Sequence, residues 1–354
     1  MTILSVAQGE ARYDIQIGDL EAALGAIDRI AKGRLLPLVS DRDVFALHGH
    51  RLKDVAALPP ILVPAGEAAK DWAGLQQVVD GLASRGVTRG TPLIALGGGS
   101  VGDLTGLAAA LYMRGSPVIH VPTTLLAQVD SAVGGKTAID SNGVKNLVGL
   151  FHPPALVVID PSLVDTLDRR QRVAGYAEVA KYGLIDDAAF FAWCERHGRA
   201  VIEGETAARR QAIAHCVAAK ARIVATDPEE RNGTRALLNL GHSFGHAVEA
   251  ASGNLAHGEA VAIGMATAFR FSHERGYCSE ADVDRVVGHL AAVGLPTSIA
   301  DTGVSRRQLP ELMALDKKNA AGGLTLILAR GIGRAFVEGG IEHSLVADFL
   351  LRTP

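Results

Sequence analysis

Two histidines four residues apart, His242 and His246, stand in Asn239-Leu240-Gly241-His242-Ser243-Phe244-Gly245-His246. On a helix this spacing puts both rings on one face. A third, His257, follows in Ala256-His257-Gly258-Glu259, and the upstream segment 177–183 carries Glu178 and Lys181 among apolar residues. No glutamate follows His242 directly, so the metalloprotease pattern fails. Two histidines and one carboxylate with coordination positions left open are the donor set of a catalytic divalent metal. A lone histidine of this kind is more often a hydrogen-bonded core residue. Three of them beside glycines, together with a glutamate, point to a metal. Glu178, His242 and His257 are the expected ligands, and His246 is left for acid–base work or substrate contact.

A second constellation lies upstream. Leu93-Ile94-Ala95-Leu96-Gly97-Gly98-Gly99-Ser100-Val101-Gly102-Asp103 reads as a buried strand, a glycine turn and a helix start. Glycines let the backbone approach a diphosphate, and the helix N-terminus supplies N–H groups and a favourable dipole. The spacing is not GxGxxG, so a plain strand–helix turn is the competing reading. Lys136 and Lys145, in glycine-rich, loop-like surroundings, suit a phosphate, with Asn146 adjacent and Arg114 a further candidate. Gly66-Glu67-Ala68-Ala69-Lys70 reads, on its residues alone, as a solvated helix start. A metal beside a dinucleotide means alcohol chemistry, because the cation lowers the pKa of a hydroxyl that gives up hydride. The residues thus point to a metal- and nicotinamide-dependent enzyme acting on a phosphorylated polyol or sugar acid.

The elements that must position these groups fall in two halves. Apolar runs at 35–39, 61–63, 93–96, 118–121 and 156–159 read as strands, with helical stretches such as 72–84 and 104–112 between them. That alternation predicts a mostly parallel sheet covered on both faces. From 162 onward strand-like runs almost vanish. Segments 172–181, 188–196, 207–225, 242–251, 259–275 and 280–293 are alanine-rich and helically periodic, and one late run, 324–329, is open to a strand or hairpin. The composition shift at Ile159-Asp160-Pro161 predicts an α/β domain over 1–161 and a helical domain over 162–354.

The composition of the 354 residues narrows the class. Hydrophobic residues make up 48% and charged residues 21%, an ordinary globular balance. The net charge of −3 lacks the basic field of a nucleic-acid binder, and no polybasic run is present to hold a membrane. Cys194, Cys216 and Cys278 are scattered and form neither a disulfide framework nor a metal knuckle. No signal peptide and no transmembrane helix are expected, and the expected compartment is a reducing cytoplasm.

Taken in order, the motifs resemble those of the 3-dehydroquinate synthases, within the sugar-phosphate cyclases. GGGSVGDLTG, YMRG, VPTTLLAQVDSAVGGKT, KNLVGLFHPP, AGYAEVAKYGLI, LNLGHSFGH, HGEAVAIGM and MALDKK carry the resemblance, which runs from about 66 to 333. It implies a Rossmann-like α/β N-terminal domain, an all-α C-terminal metal-binding domain and an active site in the cleft between them. It further implies a homodimer, one tightly held NAD per subunit, and one Zn2+ or Co2+. The implied substrate is 3-deoxy-D-arabino-heptulosonate 7-phosphate, and the products are 3-dehydroquinate and phosphate, in the shikimate pathway. The implied course is oxidation of a hydroxyl, β-elimination of phosphate, return of the hydride, ring opening and an intramolecular aldol closure.

Carried over by motif, Glu178, His242 and His257 match the metal ligands. Asp41, Glu67, Lys70, Gly98, Gly99, Ser100, Asp103, Thr123, Thr124, Leu126, Asp130, Ser131, Lys136 and Lys145 match NAD contacts. Lys136, Lys145, Asn146 and Lys317 match the phosphate side, and Arg114 is implied to reach across the dimer. Lys181, Lys220, Arg235 and His246 match contacts to the substrate's hydroxyls and carboxylate. A planar guanidinium suits a carboxylate better than an ammonium does, which favours Arg235 for that end; a salt bridge to Glu229 or Glu230 is the competing reading. The segment 227–234, just after Lys220, is one residue longer than the family pattern, Asp168 stands where a proline is expected, and Lys317 adjoins Lys318. The rival readings are a metal-dependent polyol or alcohol dehydrogenase, a sister cyclase, and a non-catalytic NAD or metal sensor.

Overall fold

The computed structural model describes residues 1–314 and 323–353; Lys317 and Lys318 lie outside them. In chain order the elements are β1 (Thr2–Gln8), β2 (Ala11–Ile17), α1 (Leu20–Ala31), β3 (Leu36–Asp41), α2 (Arg42–His48), β4 (Ala56–Val63), α3 (Trp72–Ser84), β5 (Leu93–Gly97), α4 (Gly99–Leu111), β6 (Val118–Pro122), β7 (Lys136–Ser141), β8 (Val144–Phe151) and β9 (Leu156–Ile159). There follow α5 (Arg169–Asp186), α6 (Ala188–Glu203), α7 (Thr206–Thr226), α8 (His242–Ser252), α9 (His257–Glu274), α10 (Glu280–Ala292), α11 (Leu309–Ala314), β10 (Leu324–Ala329), β11 (Ala335–Ile341) and α12 (His343–Arg352). They pack into two compact units, residues 1–168 with 204–229, and residues 169–203 with 230–354.

The first unit is built on a seven-stranded sheet in the order β1-β2-β9-β6-β5-β3-β4. Only β1 runs antiparallel to its neighbour. The apolar runs of the central strands follow from burial on both faces. On β5, Leu93 and Ala95 join the cluster formed by α3 and α4, while Ile94 and Leu96 join the one formed by α1. Pro59 and Pro60 are tolerated within β4 because it is an edge strand, which needs donors on one side only. The strand order reverses between β3 and β5, and open α/β sheets bind ligands at the carboxyl ends of the strands at such a switch point. Asp41 ends β3 there, and the Gly97-Gly98-Gly99 turn ends β5.

Three features differ from the sequence reading. The N-terminal residues form the β1–β2 hairpin. Lys136 and Lys145 lie on the β7–β8 hairpin, where a glycine-rich loop is expected; Asn142 and Gly143 both take positive φ at its tip, the geometry of a tight two-residue turn. By packing, α7 goes with the α/β unit, although the sequence boundary at 161 puts it in the helical half. Two buried cations tie it there: Arg209 pairs with Asp165 and donates to the Pro161 carbonyl at 3.2 Å, and Lys220 pairs with Asp130 at 2.7 Å.

The second unit is mainly helical. Helix α9 packs against α5, α8 and α10. The expectation of an all-α half is corrected by the antiparallel hairpin β10–β11, where 324–329 pairs with 335–341. Glycines at 331 and 333 take positive φ and let the chain reverse. Among the described residues no helix is long and apolar enough to cross a membrane.

His120 on β6 gives this fold an acid sensitivity. Burial pulls its imidazole down to about 4, helped by the nearby His152. The unfolded chain takes up a proton near the ordinary value of 6.5, and the folded chain refuses it until about 4. Stability from His120 is therefore complete above pH 6.5 and is lost as the pH falls toward 4, by up to ~3 kcal/mol. Urea midpoints at pH 7 and pH 5 are expected to differ less in His120→Gln than in the parent; equal slopes would remove His120 from the acid transition.

Candidate functional site

In the α/β unit, Gly98 caps α4 and the first turn of that helix faces the segment 123–131. A Cβ on Gly99 would stand 3.0 Å from Ser131 Oγ, and one on Gly98 would stand 3.1 Å from Thr124 Cγ2. The glycines keep open a small cavity lined by Gly97, Gly98, Gly99, Asp103, Ser131 and Lys136 among others. Opposite, Thr124 Oγ1 accepts from Ala127 N at 3.1 Å, and the chain then makes one wide turn, Ala132 N bonding Ala127 O at 3.1 Å. Such single π-type turns recur at functional sites. The turn presents Asp130 and Ser131, with Thr123 buried behind and Leu126 half-buried.

Lys70 binds this region together. Its Nζ donates to Asp103 Oδ2 at 2.8 Å and to Asn146 Oδ1 at 2.6 Å, and it lies 3.9 Å from Glu67. Burial lowers the Lys70 pKa, but Asp103 and then Glu67 outweigh it and hold the amine above the ordinary lysine value. Ser100 Oγ donates to Glu67 at 2.6 Å. Asn146 takes a positive φ and donates its backbone N–H to Asp140 at 2.7 Å. Gly66-Glu67-Ala68-Ala69 is a short 3-10 turn that buries Lys70 behind it, whereas the residues alone predict a solvated helix start. Asp41 is buried and accepts from Val44 N at 2.9 Å. Lys136, Lys145 and Arg114 are exposed. Lys220 Nζ donates to the Asp130 carbonyl at 2.6 Å as well as pairing with its carboxylate.

The helical unit gathers the other groups, and close helix packing does it. A Cβ on Gly258 would overlap the Ala174 carbonyl of α5, and one on Gly264 would overlap the Gly241 carbonyl at the start of α8. Helix α9 therefore approaches α5 and α8 at backbone distance. Glu178 stands one turn beyond Ala174, His242 opens α8 and His257 opens α9. Glu178 Oε1 lies 3.7 Å from His242 Nε2 and 3.8 Å from His257 Nε2. His246 joins them, the ligating atoms of the three histidines all lying within 4.8 Å of one another. Glu178 is buried, its Oε2 pairs with Lys181, and its Oε1 has no hydrogen-bond partner. A buried carboxylate oxygen without a donor is costly. Two imidazole nitrogens beside that oxygen complete a set that fits a divalent cation.

Two of these histidines, His242 and His257, are held from behind. His242 Nδ1 meets Leu240 O at 3.3 Å, and His257 Nδ1 meets Glu249 Oε2 at 3.2 Å. Burial pulls the His257 imidazole down, but the Glu249 hydrogen bond and the Glu178 charge together hold it above the ordinary value. Arg235 is buried in the 3-10 turn Arg235–Asn239 that leads into α8, where Asn239 Nδ2 donates to Glu230 Oε1 at 3.1 Å. The sequence reading missed Glu249, although its seven-residue spacing from His242 puts it on the same face of α8.

Gly258→Ala is expected to push α9 off α5. Overpacking of this kind costs about 1–3 kcal/mol, read as a lower urea midpoint. An unchanged midpoint would mean that the contact yields freely.

Comparison with known proteins shows the family. Residues 60–174 match the profile for the 3-dehydroquinate synthase N-terminal region, and residues 175–319 match that for the C-terminal region. The chain belongs to the 3-dehydroquinate synthase family. A 3-dehydroquinate synthase of Zymomonas mobilis subsp. mobilis is 47% identical over 351 residues, covering 96% of this chain and 92% of that one. The solved structure of the 2-epi-5-epi-valiolone synthase ValA from Streptomyces hygroscopicus subsp. jinggangensis, with NAD+ and Zn2+ bound, superimposes with a TM-score of 0.88 at 31% identity, covering 98% of this chain and 97% of that one. A 2-deoxy-scyllo-inosose synthase, solved with carbaglucose-6-phosphate, NAD+ and Co2+, shares the fold with a TM-score of 0.87 at 23% identity over the full length of both chains. The family is enzymatic, and the expected resemblance is borne out.

Proposed function

We propose that this enzyme converts 3-deoxy-D-arabino-heptulosonate 7-phosphate into 3-dehydroquinate and phosphate, using NAD as a returning catalyst and one divalent metal, zinc or cobalt. The observation that carries the reading is the donorless Glu178 Oε1, set beside the Nε2 atoms of His242 and His257 in a chain 47% identical to a 3-dehydroquinate synthase. Lower identity to the valiolone synthase, at 31%, favours this product over a sister carbocycle. In this reading the α/β unit, residues 1–168 with 204–229, binds NAD, and the mainly helical unit binds the metal.

When bound, the metal acidifies a substrate hydroxyl while NAD takes up and returns the hydride. The chain's own residues do the rest. Glu178, His242 and His257 hold the metal. Gly98 and Gly99 let a diphosphate reach the start of α4, and Asp103, Thr124, Asp130 and their neighbours supply further contacts to NAD. Lys136, Lys145 and Asn146, with Arg114 and Lys317, hold the phosphate, each charge-assisted hydrogen bond contributing ~1.5–3 kcal/mol. Arg235 and Lys220 take the carboxylate, and Lys181 and His246 the hydroxyls. Holding both ends of a flexible chain puts the reacting carbons in near-attack geometry, which removes much of the barrier to ring closure. We place the enzyme in the cytoplasm as a homodimer in which Arg114 reaches the partner's substrate.

The test is release of inorganic phosphate from the heptulosonate phosphate, with and without added Zn2+, while NADH absorbance is followed. Many phosphates released per bound NAD, without net NADH, is the expected result. NADH accumulating in step with substrate loss would replace this reading with a polyol dehydrogenase.

A further inference from the structure

We infer that Glu249 is a positioning residue for the metal: it accepts the Nδ1 proton of His257 and so holds Nε2 toward Glu178 and His242. The inference rests on the metal reading above. An ionised carboxylate can only accept, so the 3.2 Å contact puts a hydrogen on His257 Nδ1, and in the neutral ring that binds metal Nε2 then carries the free lone pair. That nitrogen is the one 3.8 Å from Glu178 Oε1.

The fold explains why His257 needs such a partner. It is the first residue of α9, following the cap Ala256, so no preceding turn of its own helix fixes its ring. Its side chain is 35% exposed, against 12% for His242. His242 leans on the carbonyl of Leu240, two residues before it. No such local carbonyl contacts His257 Nδ1 among the described contacts, and a carboxylate from another helix takes that place. Glu249 reaches it because α8 and α9 meet at glycines: a Cβ on Gly245 would stand 2.8 Å from the Ala260 carbonyl. The Glu249 side chain is 10% exposed, so its charge is little screened by water. A carboxylate behind a ligating imidazole fixes the tautomer and ring direction and raises the ligand's basicity.

The experiment uses the full chain stripped of metal. Zn2+ affinity is measured by competition with a chromophoric chelator, and the visible spectrum is recorded after Co2+ loading. The parent, His242→Ala, Glu249→Ala and Glu249→Gln are compared. His242→Ala is expected to lose binding. Glu249→Ala is expected to bind Zn2+ about 10–100-fold more weakly and to show an altered Co2+ band. Glu249→Gln keeps a hydrogen-bond acceptor but not the charge, and is expected to fall between Glu249→Ala and the parent. Both Glu249 variants binding within twofold of the parent, while His242→Ala fails, would overturn the inference and leave the metal reading intact. His242→Ala binding like the parent would overturn the metal reading itself. If Glu249→Ala does not fold, Glu249→Gln decides by the same twofold criterion.

Discussion

Glu178→Gln and His242→Ala are each expected to lower turnover by about 10^3-fold or more. A metal that stabilises developing charge contributes several kcal/mol to the transition state, and each 1.36 kcal/mol is about tenfold in rate. The two variants differ in their side effects, and the difference is informative. Glu178 and Lys181 are both 1% exposed and paired. Glu178→Gln takes the carboxylate away from a buried ammonium, and breaking a buried pair from one side costs about 3–5 kcal/mol. It is expected to lower the melting temperature as well as turnover. His242→Ala removes a half-buried ring outside that pair and is expected to leave the melting temperature of the metal-free protein nearly unchanged. Metal content by atomic emission is expected to fall in both. Full turnover in His242→Ala would move the chemistry away from the three-helix junction.

The candidate metal-binding residues stand out in the sequence more than the elements that hold them. His242 and His257 stand out as candidates by type and by the adjoining Gly241 and Gly258, and Glu178 by its charge in an apolar stretch. Why the glycines are there becomes clear only when Gly258 is seen against Ala174 and Gly264 against Gly241, contacts between segments far apart in the chain. The central strands were legible because burial on both faces writes a continuous apolar run, as at 93–96. The β7–β8 hairpin was not, because its outer strand is largely exposed and its lysines and glycines read as a loop. Its one local signal, Asn142-Gly143, went unused. Helix α7 was read correctly as a helix but with the wrong neighbours, since periodicity shows that a face is buried and not against what. Lys220 could be assigned to the helical half from sequence order alone. Its pairing with Asp130, ninety residues away, is tertiary information.

Lys70→Met is expected to cost about 3–5 kcal/mol of stability and to weaken NAD binding together with it. Lys70 is 6% exposed and Asp103 20%, so the pair is largely shielded from solvent. Removing only the cation leaves the Asp103 carboxylate without its ammonium at a site only 20% open to water. The methionine keeps the length of the side chain, which separates charge from packing. Two further consequences follow from the 2.6 Å bond to Asn146. Asn146 loses the donor to its side-chain oxygen, and β8 loses a tie to the start of α3, although the backbone bond from Asp140 N to Lys70 O at 2.7 Å remains. A double-mutant cycle isolates the charge: residues in one network couple by 0.5–3 kcal/mol, so Asp103→Asn added to Lys70→Met is expected to cost much less than it does alone. Urea midpoints give the stability terms, and NAD titration of the same four proteins gives the binding terms. Additive losses in stability would mean that Lys70 and Asp103 act separately. Coupled stability with unchanged NAD affinity would make the pair a strut of the α4 turn that the nucleotide does not touch.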